Sequence, residues 1–282
     1  MSIEVDLDDP RLPPELEHRI FEIAALARPT RIPILMLVAR RVRCWVEPLL
    51  YRVVFLRGQH DHPSHQFPLP IFSVDAPERK SYQCFRHVRN LFISSSIEET
   101  AVKSWLLACP NTTNLYAMFD LTPEVLPCLS GFTNIRYLTI EASALDGNSS
   151  LFPLFLSVTH LELLNSAVDA DRVCANVALI PRLTHIALNP HLPSRLSHAE
   201  FSAIAQLQCI VFLSAGILLD GSPLLDDARF VCIEEELHYT IDWLQGAISG
   251  DDYWALADAF LAARRAGKTD RTYPRLTINS RC

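Results

Sequence analysis

Glycine and lysine are scarce in this chain: eight glycines and three lysines among 282 residues. The glycines are scattered, so neither a G-x-G-x-x-G turn nor a phosphate-cradling loop can be assembled from them. Codon usage accounts for both shortages without invoking function. Long apolar runs are also missing. The longest, "IPILMLVA" at 32–39, has about eight residues, against the roughly 20 that span a bilayer, so no membrane helix is expected. The first ten residues, "MSIEVDLDDP", are acidic and carry no apolar signal core, which leads us to expect an intracellular protein, cytoplasmic or nuclear. Net charge is −7 with no basic run, which speaks against a nucleic-acid partner. None of the eight cysteines forms a C-x-x-C pair, so they are expected to be reduced core residues.

Catalytic signatures are absent as well. There is no G-x-S-x-G, no H-E-x-x-H, and no nucleophile, base and acid at credible spacing. An enzyme is not expected, nor a cofactor. The tract "HDHPSH" brings His60, His62 and His65 together, but without a cysteine or a second ligand pair it reads as a solvated linker rather than a metal site.

What the chain does have is a repeat. Aligning "FRHVRNLFI" (85–93), "CPNTTNLYA" (109–117), "FTNIRYLTI" (132–140), "FLSVTHLEL" (155–163), "IPRLTHIAL" (180–188), "IAQLQCIVF" (204–212) and "DARFVCIEE" (227–235) makes Leu91, Leu115, Leu138, Leu161, Ile186, Ile210 and Ile233 the anchors. Their spacings are 24, 23, 23, 25, 24 and 23 residues. Apolar residues recur six and three positions before the anchor and two after it, so each copy predicts a strand with the anchor facing inward. Roughly 14 residues remain for a return helix or arc, as in "SIEETAVKSWLLAC" (96–109), where Ser96 and Glu99 have capping-box spacing.

A strand and a return segment at this period resemble a leucine-rich repeat, although no asparagine stands five residues after the anchor. The expected fold is therefore α/β: about seven parallel strands stacked as a solenoid over 85–250. The columns beside the anchors would form a concave face for a target protein. Its candidate contacts are Asn90, Phe92, Asn114, Tyr116, Tyr137, Thr139, His160, Glu162 and His185, a mixture of aromatic and polar groups suited to protein recognition. In the seventh copy Glu235 falls in a core column, so the array is expected to end there. Residues 251–282 supply a helix with Leu256, Ala259, Phe260 and Ala263 on one face, stopped by Gly267, and this helix is expected to cap the far end.

Residues 1–57 form a helical module, separated from the repeats by a Pro- and His-rich linker at 58–84. "LPPELEHRIFEIAAL" (12–26) reads as an amphipathic helix, and "ILMLVARRVRCWV" (34–46) as a second one ending before Pro48. "LLYRVVFL" (49–56) then reads as a strand. Leu12-Pro13, Glu15-Leu16, Ile20-Phe21, Val38, Val42, Cys44 and Trp45, placed ahead of irregular repeats, resemble the F-box of fungal F-box-like proteins. The resemblance implies a substrate receptor that recruits a target to a Skp-type adaptor of a cullin–RING ubiquitin ligase. It also implies that Leu12, Pro13, Leu16, Ile20, Phe21, Val38, Val42 and Trp45 face that adaptor or support the face. The alternative is a repeat scaffold in which these helices only cap the array.

Overall fold

The computed structural model describes residues 12–57, 72–79, 82–146, 153–164, 170–188, 195–213, 222–233, 239–268 and 275–276. The histidine tract at 60–65, most of the 58–84 linker and Glu235 lie outside them.

The fold is α/β, built on one parallel sheet. Its strands are β1 (Val53–Leu56), β2 (Asn90–Ile93), β3 (Asn114–Ala117), β4 (Tyr137–Glu141), β5 (His160–Leu164), β6 (His185–Leu188), β7 (Cys209–Leu213), β8 (Phe230–Ile233) and the two-residue β9 (Arg275–Leu276). They lie in chain order and every pair is parallel, so the sheet is open and each strand is followed by its neighbour. Helices of nine or more residues are labelled α1 (Pro14–Ala27), α2 (Arg40–Leu50), α3 (Glu99–Ala108), α4 (Ala170–Ala178), α5 (Arg195–Ala203), α6 (Tyr239–Ser249) and α7 (Tyr253–Arg265).

The register follows the repeat. Leu91 pairs with Leu115, then Leu138, Leu161, Ile186 and Ile210, one anchor per strand, and Val54 of β1 extends the column. These anchors are completely or almost completely buried, as are the columns three and six residues before them, from Val88 and Phe85 onward. Return segments seal this layer from one side; α3 contributes Val102, Trp105 and Leu106. Burying a leucine this way is worth roughly 1.5–3 kcal/mol. Where each strand begins, threonines take over part of the cross-linking. Thr113, Thr159 and Thr184 donate their hydroxyls to the carbonyls of Arg89, Arg136 and Thr159 in the preceding copy, at 3.1–3.2 Å.

Several expectations need correction. The seventh anchor is Phe230, not Ile233: Ile210 pairs with Phe230, so this copy is 20 residues long and Ile233 points to the opposite face. Ser96 does not cap α3; the helix begins behind Glu98, with no side-chain cap. The second helix is broken, because Ala39 is extended (φ −160°, ψ 156°) and separates a short Ile32–Leu35 turn from α2. Pro48 lies inside α2, close enough to its end to cost little more than one ladder bond.

The C-terminal helices do not cap the end of the sheet. They lie across its second face. Trp243, Leu244 and Ala247 of α6 pack with Val53, Phe92 and Tyr116 of β1 to β3, while Tyr253, Trp254, Ala257, Phe260 and Leu261 of α7 pack with Ala187, Cys209, Val211 and Val231 of β6 to β8. The buried face of α7 is thus 253/254/257/260/261, rotated from the one the sequence suggested. Asp252 caps α7 by accepting from the Ala255 amide at 3.0 Å. The turn between the two helices is tight: Gly250 has φ +82°, and a Cβ on Gly246 would sit 2.6 Å from an oxygen of Asp252. Gly267, at φ +68°, stops α7 as expected.

Candidate functional site

The N-terminal module has a small core of its own. Ala25, Ile32, Val42 and Val46 are fully buried, with Phe21, Leu35, Met36 and Trp45 packed around them. A two-pronged ion pair from Arg41 to Glu17 (2.8 and 3.0 Å) ties α2 to α1, and His18 stacks on Trp45 at 5.1 Å. Leu50 touches both this core and the main one, so the module joins the sheet through the end of α2.

That core uses only one side of α1. Its main apolar stripe faces solvent: Leu16 is 54 % exposed and Ile20 53 %, and Leu12 and Ile23 are also exposed. Ile34, Leu37 and Val38 add to the exposed apolar surface; Leu37 is 85 % exposed. Of the residues singled out by resemblance, Leu12, Pro13, Leu16, Ile20 and Val38 are therefore on the surface, and Phe21 and Trp45 are half-buried. Val42 is fully buried, so it cannot touch a partner and can only support the face. Isolated exposed leucines are ordinary, but seven large aliphatic side chains presented by one small module are not.

The expected concave target face is not open. Asn90, Phe92, Tyr116, Thr139, Glu162 and His185 are buried, and Asn114, Tyr137 and His160 are half-buried beneath α6 and α7. Phe55, Phe92 and Tyr116 stack in sequence at 4.3 Å centroid spacing, and the edge of Trp243 closes on Phe92 and Tyr116. The physical reason is visible in the columns themselves, which turn apolar or aromatic and need a cover.

Polar groups under that cover are strongly perturbed. Glu162 accepts from the Thr139 hydroxyl at 2.9 Å, and the buried Tyr253 hydroxyl stands beside the same carboxyl. Burial raises its carboxyl to about 7. Burial likewise raises Asp242 to about 7, against a 3.3 Å bond from the Tyr253 amide. Tyr137, His160 and His185 stack face to face, with the imidazoles 4.1 Å apart. Burial, together with neighbouring His185, lowers His160 to about 3. His185 bridges the Thr184 hydroxyl (2.7 Å) and Asp258 of α7 (3.1 Å). Ligand atoms of His160, His185 and Asp258 lie within 4.8 Å of one another. The rings are nearly parallel, at 12°, so their in-plane lone pairs run side by side instead of converging on an ion. In this arrangement the trio fastens α7 to the sheet.

No known family model matches the chain, and neither does any curated protein sequence.

A groove that the sequence reading missed runs along the edge where the strands begin, with a volume of about 850 Å³. It lies between the column two residues before the anchors and the column four before, and carries Arg89, Arg136 and Arg182. The arginines could have been found in the alignment, but only by asking which solvent-side positions share a sign of charge. No helix among the described residues is long and apolar enough to cross a membrane.

Proposed function

We propose that this protein is an F-box-like receptor. In this reading the N-terminal module docks on a Skp-type adaptor of a cullin–RING ubiquitin ligase, and an irregular leucine-rich-repeat solenoid holds a target protein. What carries the reading is the direction of the apolar stripe on α1. Leu16, Ile20 and Ile23 point away from the module's own core, and Ile34, Leu37 and Val38 join them at the surface. A helix that only capped the array would bury this stripe on the first repeat. The stacking of anchors at a 23–25-residue period supports the solenoid half. The chain need supply no chemistry; it raises the effective concentration of its target beside a ubiquitin-loaded enzyme.

The test is co-purification of the full chain with a Skp-type adaptor, comparing wild type with the Leu16→Asp plus Ile20→Asp variant. Both positions are exposed, so the variant is expected to keep its fold and lose the adaptor. A folded wild type that binds no adaptor overturns the reading.

A further inference from the structure

The target-binding surface assumed from the sequence is occupied by the chain's own helices, so a receptor must hold its target elsewhere. We propose that the groove at the strand-start edge binds an acidic, extended peptide segment of another protein. The role as target site rests on the receptor reading; the ligand chemistry does not.

The groove is built by the repeat. Two positions before the anchor stand Arg89, Thr113, Arg136, Thr159 and Thr184; four before stand Asn134, Ser157 and Arg182. Arg89, Arg136 and Arg182 are exposed, and among the described residues no carboxylate lines the groove with them. Arg136 and Arg182 have no ion-pair partner among the described residues, whereas Arg229 at the equivalent edge farther along is neutralised by Asp227 at 2.7 Å. Arg89 spends one guanidinium N–H on the Asn111 carbonyl at 3.1 Å, while Arg136 and Arg182 remain open; the three positive groups, on a chain of net charge −7, make a local patch opposite in sign to the net charge. Arg136 and Arg182 each offer a planar fork that fits a carboxylate in two-point fashion. The Ser157 hydroxyl borders the groove, shielded from solvent and without a hydrogen-bond partner among the described residues.

Size favours a peptide over a single ion. From β2 to β6 the groove crosses four strand spacings of roughly 4.8 Å, about 19 Å, which is the length of about six extended residues. Asn134, the threonines and Ser157 between the arginines can bond a peptide backbone. Among the described residues the rings at the rim are Tyr137 and His160, which are stacked on each other and leave no free platform for bases there.

The experiment is fluorescence anisotropy with a labelled Glu/Asp-rich peptide of about eight residues, a Lys-rich peptide of equal length, and a single-stranded RNA oligomer. The proteins are the wild-type chain, Arg136→Glu plus Arg182→Glu, and Lys268→Glu as a charge control at a residue that does not line the groove. Wild type is expected to bind the acidic peptide alone, and more weakly as salt rises. The double variant should lose roughly tenfold or more in affinity and begin to bind the Lys-rich peptide, while Lys268→Glu binds as wild type does. If the double variant unfolds, Arg136→Ala plus Arg182→Ala gives the same comparison without added charge. Acidic-peptide binding that survives both double variants, no binding by folded wild type, or tighter binding of RNA overturns the proposal. Leu16→Asp plus Ile20→Asp should bind the peptide normally, so failure of the adaptor reading and failure of this one are separable.

Discussion

Trp243 donates its indole N–H to the side-chain oxygen of Asn114 at 3.1 Å, across 129 positions of sequence. That bond joins α6 to β3, and the ring beside it closes the stack of Phe92 and Tyr116. The C-terminal helices are consequently part of the folded sheet structure rather than an end piece.

Trp243→Ala should cost about 3–5 kcal/mol, as truncation of a large buried aromatic does. Trp243→Phe keeps most of the packing but leaves Asn114 without this donor, and should cost nearer 1–2 kcal/mol. Urea unfolding of the two variants checks this; equal and small losses would mean that α6 rests on the sheet without holding it.

Glu162 makes stability depend on pH, and Glu162→Gln should remove its share. The carboxyl titrates at about 7 in the folded chain and at its ordinary 4.5 when unfolded. Between those values the folded state keeps a proton that the unfolded state gives up, so this group's contribution to stability falls as pH rises through the window and stays low above 7. Relative to wild type, Glu162→Gln should gain roughly 1–3 kcal/mol between pH 4.5 and 7. Asp242 titrates in the same direction and leaves a residual slope. His160, held neutral down to about 3, has the opposite sign: its contribution is present above the ordinary 6.5 and is lost as pH falls toward 3. Denaturant midpoints of wild type and Glu162→Gln at pH 5 and pH 8 decide it. A constant difference between the two proteins would show that Glu162 does not titrate in this window.

Leu138→Ala and Leu107→Ala should differ sharply despite identical chemistry. Leu138 stands mid-column and is buried, so its loss should cost about 2–5 kcal/mol; Leu107, on the outer side of α3, is exposed and should cost no more than about 0.5 kcal/mol. Thermal or urea unfolding of both variants measures the ratio, and similar losses would contradict the inward column.

Most of the ladder was legible in the sequence because six copies keep one period and one inward parity. At Phe230 the repeat pattern misleads by three residues for a specific reason. "FVCI" is buried on both faces, so it has no polar–apolar alternation from which parity could be read. The cover over the second face of the sheet is not legible in the periodicity. Periodicity reports only that a helix has an apolar side, not which strands that side covers: α6 packs on β1 to β3, well over a hundred residues earlier, and α7 on β6 to β8. A warning was nonetheless present. Ala187, Cys209 and Val211 stand in columns assigned to solvent, and three apolar residues there call for a cover. On α7 the apolar residues surround most of the helix, which left Leu256 and Leu261 as equally good guides to its buried side; only Leu261 proved to be buried.

Val42 separates support from contact in the N-terminal module. Val42→Asp places a charge in a fully buried position and should unfold α1 and α2 while the repeats stay folded. Limited proteolysis is the check: early cuts should fall within residues 12–50 in Val42→Asp and not in Leu16→Asp. The same cleavage pattern in both would mean that Leu16 is also a core residue.

The most direct measurement is amide hydrogen exchange on the full chain with and without a Skp-type adaptor. The account predicts added protection in Pro14–Ala27 and Ile32–Leu35, with Ala170–Ala178 and Tyr253–Arg265 unchanged. No added protection in α1 with adaptor present, or protection confined to the repeats, would contradict it.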